Sequence, residues 1–212
     1  MWSDIDRVYL VEETPTEISS LPRTLEKLKA SRYFAGYSPS EWHIVQVGKD
    51  EKIQIKSWLL WASIVALSSV GDSLLIDLEE IGLTHKWRSS EERKSVYKNP
   101  LLAVLLELRN YEVHIEFRPG ELRNFSAWLA HDANPNKETE QKDMGDAFFF
   151  SPIDYQSLSR LRNLQSGRSN VTAEMTEWFN RQTSAWPAAY LIGIARELYT
   201  KYIANFIRQN GG

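Results

Sequence analysis

The chain has 212 residues, with 25 Lys and Arg against 28 Asp and Glu for a net charge of −3. That balance excludes a global positive field able to hold nucleic acid non-specifically. The absence of cysteine removes disulfides, thiolate zinc sites and cysteine nucleophiles together, and fits a reducing compartment. Eight Trp, nine Tyr and eight Phe argue against disorder, and the length suits one domain with a substantial core. Met1 to Asp6 is acidic and lacks the basic-then-apolar order of a signal peptide. The longest apolar run, around Trp58 to Val70, falls short of a bilayer span and is interrupted by Ser57, Ser63, Ser68 and Ser69. The expectation is a soluble, cytoplasmic protein with no membrane partner.

Val8 to Val11 reads as a short strand or extended arm. Leu21, Leu25 and Leu28 stand at helical spacing and predict a first helix from Leu21 to Phe34, ending at Gly36. Ser38-Pro39-Ser40-Glu41 combines a capping serine, a proline at the first helical position and a glutamate at the third, so a helix is expected to start there. Trp42 to Val47 also alternates like a strand, and a hairpin over 42–55 is the competing reading. From Ile53 the pattern is helical. Ile53, Leu60, Trp61, Ile64 and Leu67 share a stripe that Trp58 and Leu59 widen, which places Trp58 and Trp61 in the core. Gly71-Asp72 marks a break or a thinning before Leu74 to Ile81. The charged stretch Thr84 to Lys98 reads as a linker with a short helix.

Leu101, Leu102, Val104, Leu105, Leu106 and Leu108 then build the most apolar helix, expected over 99–118 and stopped by Pro119-Gly120. A further helix is predicted from Glu121 to about Ala130, followed by a mobile polar loop over 131–147. Ser151-Pro152-Ile153-Asp154 signals a helix towards Gln165, with the carboxylate at its third position. Another runs from Asn170 to about Gln182, and Trp186-Pro187 starts a last long helix. The economical architecture is a single all-α domain, an antiparallel helical bundle over 38–212 preceded by an extension and first helix over 1–37.

Most site types are missing. There is no Gly-x-Gly-x-x-Gly, no phosphate-binding loop of the Walker type and no Gly-x-Ser-x-Gly elbow. The four histidines, at 43, 85, 114 and 131, include no pair at metal-ligand spacing, and no metal or cofactor is expected. His131-Asp132 with Asp143 and Asp146 is better read as solvated loop than as a cation site. The sequon Ser169-Asn170-Val171-Thr172 reads as a helix cap. What remains is Arg109 and His114, five positions apart in a strongly apolar helix. A guanidinium that binds phosphate bidentately and an imidazole that titrates near neutrality are the parts of phosphodiester chemistry. Asn110, His114 and Arg118 fall at i, i+4 and i+8, a polar stripe on that helix. The bland alternative makes Arg109 a snorkelling residue paired with Glu107 or Glu112, and His114 a satisfied core histidine.

Leu108-Arg109-Asn110-Tyr111-Glu112-Val113-His114 resembles the Arg-x(4–6)-His signature of the HEPN superfamily, in which the residue after the arginine is commonly polar. The motif there lies on a helix of an all-α bundle, with a long helix ahead of it, as Ile53 to Val70 stands here. In architecture the resemblance extends over roughly 50–210; in motif it rests on these few residues. It implies a metal-independent endoribonuclease of toxin–antitoxin, phage-defence or RNA-processing type, whose site forms where two motif helices meet across a homodimer two-fold axis. Carried onto this chain, His114 is general acid or base for attack by a ribose 2′-hydroxyl, Arg109 holds the phosphate and Asn110 orients either. Tyr111 and Arg118 become substrate contacts, joined by Arg160 and Arg162 from the locally basic stretch 155–168. RNA and an antitoxin protein are the implied partners. The superfamily also contains non-catalytic members that bind RNA or a protein, and that is the alternative. Lys86, Arg88, Arg93 and Lys94 form a second basic cluster, diluted by Glu91 and Glu92.

Overall fold

A computed structural model describes residues 2–5, 15–36, 49–114, 120–129, 140–160 and 170–211. Among them the chain is mostly helical, with one two-stranded antiparallel sheet. The helices before the sheet are α1 (Thr16–Ser19), α2 (Pro22–Gly36), α3 (Lys49–Glu80), α4 (Thr84–Ser89), α5 (Glu91–Lys98) and α6 (Pro100–His114). The strands β1 (Gly120–Leu129) and β2 (Glu140–Phe150) follow, then α7 (Tyr155–Ser159), α8 (Ala173–Ala185) and α9 (Ala188–Asn210). The expected strand at Val8–Val11 and the capping box at 38–41 lie outside the described residues.

The central wall is α3. Its 32 residues run about 48 Å at the α-helical rise, through Gly71-Asp72 without the expected break and through 49–55, where a hairpin had competed. Gly71 is a packing position: a Cβ there would stand 3.1 Å from the Tyr199 hydroxyl of α9. Leu60, Ile64, Leu67, Val70, Leu74 and Leu78 form the buried face. By length and composition Gln54–Glu80 is apolar enough to cross a membrane, with an 18-residue window inside it of mean hydropathy 1.8, so the apolar stretch is longer than the serine interruptions suggest. Trp58 is not core. It is 60% exposed, because it sits on the side of α3 roughly opposite Leu60 and Leu67. Trp61 is half-buried, and its indole N–H is enclosed without a hydrogen-bond partner among the described residues.

Antiparallel to α3 lies α2, joined to it by buried polar contacts at two levels. The Asp77 carboxylate is 1% exposed and meets the first turn of α2. It accepts from the Thr24 amide and hydroxyl, each at 2.8 Å, from the Arg23 amide at 3.4 Å and from the Arg23 guanidinium at 3.2 Å. It thus caps the free N–H groups of a neighbouring helix, where a negative charge is also favoured by the helix dipole. Further along, the Ser63 hydroxyl donates to the Ser31 carbonyl at 2.7 Å and lies 3.1 Å from the Ser31 hydroxyl. Around this pair pack α6, α8 and α9, closing a core that also takes Phe148 and Phe150 of β2.

The predicted helix over 121–130 is in fact β1, and 140–147, expected as loop, belongs to β2; 131–139 lies outside the described residues. The pairing Gly120↔Phe150 through Leu129↔Glu140 carries one bulge, where Met144 and Gly145 face Phe125. Gly145 takes φ +73° there, and the Asp143 carboxylate accepts from its amide at 2.8 Å and from the Asn124 side chain at 3.2 Å. Asp143 is thus a bulge clamp, not a solvated loop residue. Aromatic residues hold both faces of β2: Phe148 and Phe150 enter the core, while Phe149 is covered by Phe125 and by Arg123, whose guanidinium lies 5.1 Å from the Phe149 ring centre.

The caps agree with the sequence in kind and shift in position. Thr172 caps α8 through the Met175 amide, as the sequon region suggested. Asp154, expected inside a helix, is itself the N-cap of α7 and accepts from the Gln156 and Ser157 amides. Thr84 to Lys98 forms two short helices, the second capped by Ser90.

Asp77→Ala is expected to lower the unfolding free energy by about 3 kcal/mol in urea denaturation, because two buried donors of Thr24 and two partly buried ones of Arg23 lose their acceptor; Thr24→Val, which removes one hydroxyl bond, costs about 1 kcal/mol. Gly120 has φ +146°, and a Cβ there would fall 1.6 Å from the Phe149 carbonyl oxygen, so Gly120→Ala is expected to abolish the ladder at the base of the hairpin, read as loss of slow amide exchange at Phe150. Glu17, which pairs with Arg208 at 2.7 Å, has its pKa lowered by its own backbone N–H and then by Arg208. The tie between α1 and α9 therefore persists below the usual carboxylate range and is lost only as the pH falls through the lowered folded-state value; the NMR titration of the Glu17 carboxyl carbon measures it.

Candidate active site

α6 starts where the sequence places it. The Asn99 side chain accepts from the Leu101 and Leu102 amides, each at 3.1 Å, and Pro100 occupies the first helical position. Up to Leu108 the helix is buried almost without relief: Leu101, Leu102, Ala103, Val104, Leu105 and Leu108 are core, and Leu106 alone among the apolar residues described there is half-exposed. It packs on α3, α5, α8 and α9.

Near its end the helix changes character. Glu107 is buried, at 6% exposure, whereas Arg109 is half-buried. Two positions apart on a helix means roughly opposite sides of the axis, so the acid turns inward and the arginine outward. No ion pair joins them among the described residues, and no hydrogen bond reaches the Arg109 guanidinium there. No described contact therefore makes the pairing with Glu107 that the sequence allowed, and the side chain of Glu112, the other acid it allowed, lies outside what the structure describes.

The backbone of Asn110, Tyr111 and His114 completes α6 as regular helix; their side chains lie outside what the structure describes. Positions 109 and 114 are roughly 140° apart around that axis. Arg118 and Arg162 lie outside the described residues. Arg160 is exposed at the C-cap of α7, and no described contact brings it to Arg109.

Sequence reasoning missed the strand that follows this helix: six positions past His114 the chain enters β1. The signal available was the aromatic run Phe148-Phe149-Phe150, a residue type favoured in strands. Two members of the second basic cluster are engaged locally. Arg93 lies over the Tyr97 ring at 5.3 Å and donates to the Arg88 carbonyl at 3.2 Å, while Lys94 pairs with Glu91 at 2.5 Å. Of the metal candidates, His131 and Asp132 lie outside the described residues, and Asp143 is committed to the bulge; among the described residues no three His, Asp or Glu side chains gather.

No family model, curated protein or solved structure matches the chain.

Arg109 is half-exposed at the edge of the core, so Arg109→Ala is expected to change the unfolding free energy by less than about 1 kcal/mol. Thermal or urea unfolding checks this, and a small change makes the variant a clean probe of chemistry.

Proposed function

We propose that the protein is a HEPN-like, homodimeric, metal-independent endoribonuclease of the cytoplasm, acting in a toxin–antitoxin or phage-defence setting with an antitoxin protein as its partner. The observation that carries this reading is the placement of Arg109. It is where the apolar α6 leaves the core, and its guanidinium has no described partner to neutralise it. A cation so placed suits a phosphate. His114, five positions on in the last turn of the same helix, supplies the acid or base.

In this reading His114 takes the proton of a ribose 2′-hydroxyl. The 2′-oxygen attacks the adjacent phosphorus, the bond to the 5′-oxygen breaks, and that oxygen leaves with a proton returned by a second acid. The products are a 2′,3′-cyclic phosphate and a 5′-hydroxyl. Arg109 stabilises charge on the phosphate oxygens, Asn110 orients the imidazole or the phosphate, and Tyr111, Arg118, Arg160 and Arg162 contact the RNA. Because the helix is regular through His114, one chain does not aim both positions at the same atom. Arg109 of one copy and His114 of the other meet across a two-fold axis. A second reading, a HEPN-like protein that binds RNA or a protein without cleaving, is favoured by the net charge of −3 and the local neutralisation of Arg93 and Lys94.

The test is cleavage of a mixed RNA pool in excess EDTA. The wild type is expected to yield 2′,3′-cyclic ends, and His114→Ala and Arg109→Ala each to be slower by about 100-fold or more. A mixture of the two variants, refolded together, is expected to regain activity that neither has alone. Equal cleavage by all three proteins rejects the assigned roles; RNA binding without cleavage by any supports the second reading.

A further inference from the structure

Residues 2–5 have no regular secondary structure, yet α8 and the turn after it read them almost atom by atom. The Trp178 indole N–H donates to the Ser3 carbonyl at 3.2 Å, and the Trp186 indole N–H to the Ile5 carbonyl at 2.9 Å. The Gln182 side-chain oxygen accepts from the Ile5 amide at 2.9 Å, while its nitrogen donates to the Asp4 carboxylate at 2.7 Å. Arg181 stands 3.6 Å from the same carboxylate. Trp2 and Ile5 pack, partly buried, against the core.

Three properties of this contact set it apart from ordinary packing. The receptor side is built without the strap: α8 has its own cap at Thr172, its own core residues Met175 and Phe179, and a second anchor in Asn180, which holds both the amide and the carbonyl of Ile153 at 2.8 Å. The reading groups are buried polar ones, Gln182 at 2% and Trp178 at 5% exposure, and their hydrogen-bonding capacity is spent on the strap: on its main chain by the Trp178 indole and the Gln182 oxygen, and on the Asp4 carboxylate by the Gln182 nitrogen. Finally, that recognition is directed at backbone, with side-chain demands only at three places. Main-chain bonds combined with alternate side-chain anchors are how grooves bind extended peptides.

We propose that the corner of α8 and Trp186 is a binding site for a short extended peptide of the pattern aromatic, any residue, acidic, aliphatic. In this structure residues Trp2 to Ile5 fill it in cis, as a strap that opens as a unit while α8 stays folded. A segment without secondary structure, held by a handful of bonds, belongs to the low-stability end of local opening. Tethering gives the strap a high effective concentration, so a free peptide of the same sequence competes poorly until the strap is weakened.

The experiment uses the full-length chain and a fluorescein-labelled peptide with the sequence of residues 1–7, read by fluorescence anisotropy. A chain carrying Asp4→Ala and Ile5→Ser is expected to bind the peptide at least tenfold more tightly than the wild-type chain, and adding Gln182→Ala to it is expected to remove that gain. Equal affinity of the wild-type and strap-weakened chains, or binding indifferent to Gln182→Ala, overturns the proposal. So does a strap-weakened chain that has lost its helical circular dichroism, since the strap would then be part of the core. In the wild type, the Ile5 amide is expected to exchange at least a hundredfold faster than the amides of Phe179 and Gln182; equal rates contradict independent opening.

Discussion

A single buried carboxylate orders the helical stack. Asp77 has to be satisfied, because an ionised group removed from water without hydrogen bonds is among the costliest things a core can contain. Its partners all belong to the first turn of α2, so the axial position and the direction of α2 follow from this one residue. With α2 fixed, the serine contact between Ser31 and Ser63 falls at a level where small side chains allow close approach. The far side of α3 is then free to receive α6 and α9. Replacing the carboxylate by an apolar side chain would leave those helices a wall but no unique register.

α6 inherits its polarity from that arrangement. Leu101 to Leu105 are buried, in a helix enclosed by α3, α5, α8 and α9. Glu107 and Arg109 straddle the boundary, one inside and one at the surface. Within two residues the described side chains pass from the buried Glu107 to the half-buried Arg109. A guanidinium at such a boundary is partly desolvated, which strengthens its attraction for an anion compared with a fully hydrated one.

Much of the helical layout could be read from the chain. Leu21, Leu25 and Leu28 gave the first helix its extent, Asn99-Pro100 the start of α6, and Trp186-Pro187 the start of α9, since caps and prolines act locally. Where tertiary contacts decide, local patterns misled. Gly71 looks like a breaker and is a gap for the Tyr199 hydroxyl. Trp58 looks like core because a wide apolar stripe does not say which of its edges faces inward. The hairpin was missed because residues 121–130 alternate poorly, and because β2 gains its stability from the aromatic contacts of Phe149 and Phe125, invisible to single-segment propensity. At the candidate site the sequence supplied the helix and the position of Arg109; the inward turn of Glu107, which leaves that arginine unpaired by it, needed coordinates.

The contacts that complete the molecule join positions very far apart along the chain. Strap and α8 are separated by 175 to 181 residues, and Glu17 and Arg208 by 191. Local helices can form as soon as they are synthesised, but closures of this span wait until α8 and α9 exist, and long loop closures slow folding. During translation, therefore, the motif helix α6 is made well before the elements that cover it. Until then α6 has only α3 and α5 to pack on, the part of its leucine-rich surface that α8 and α9 cover is bare, and prompt completion of the chain protects it from aggregation.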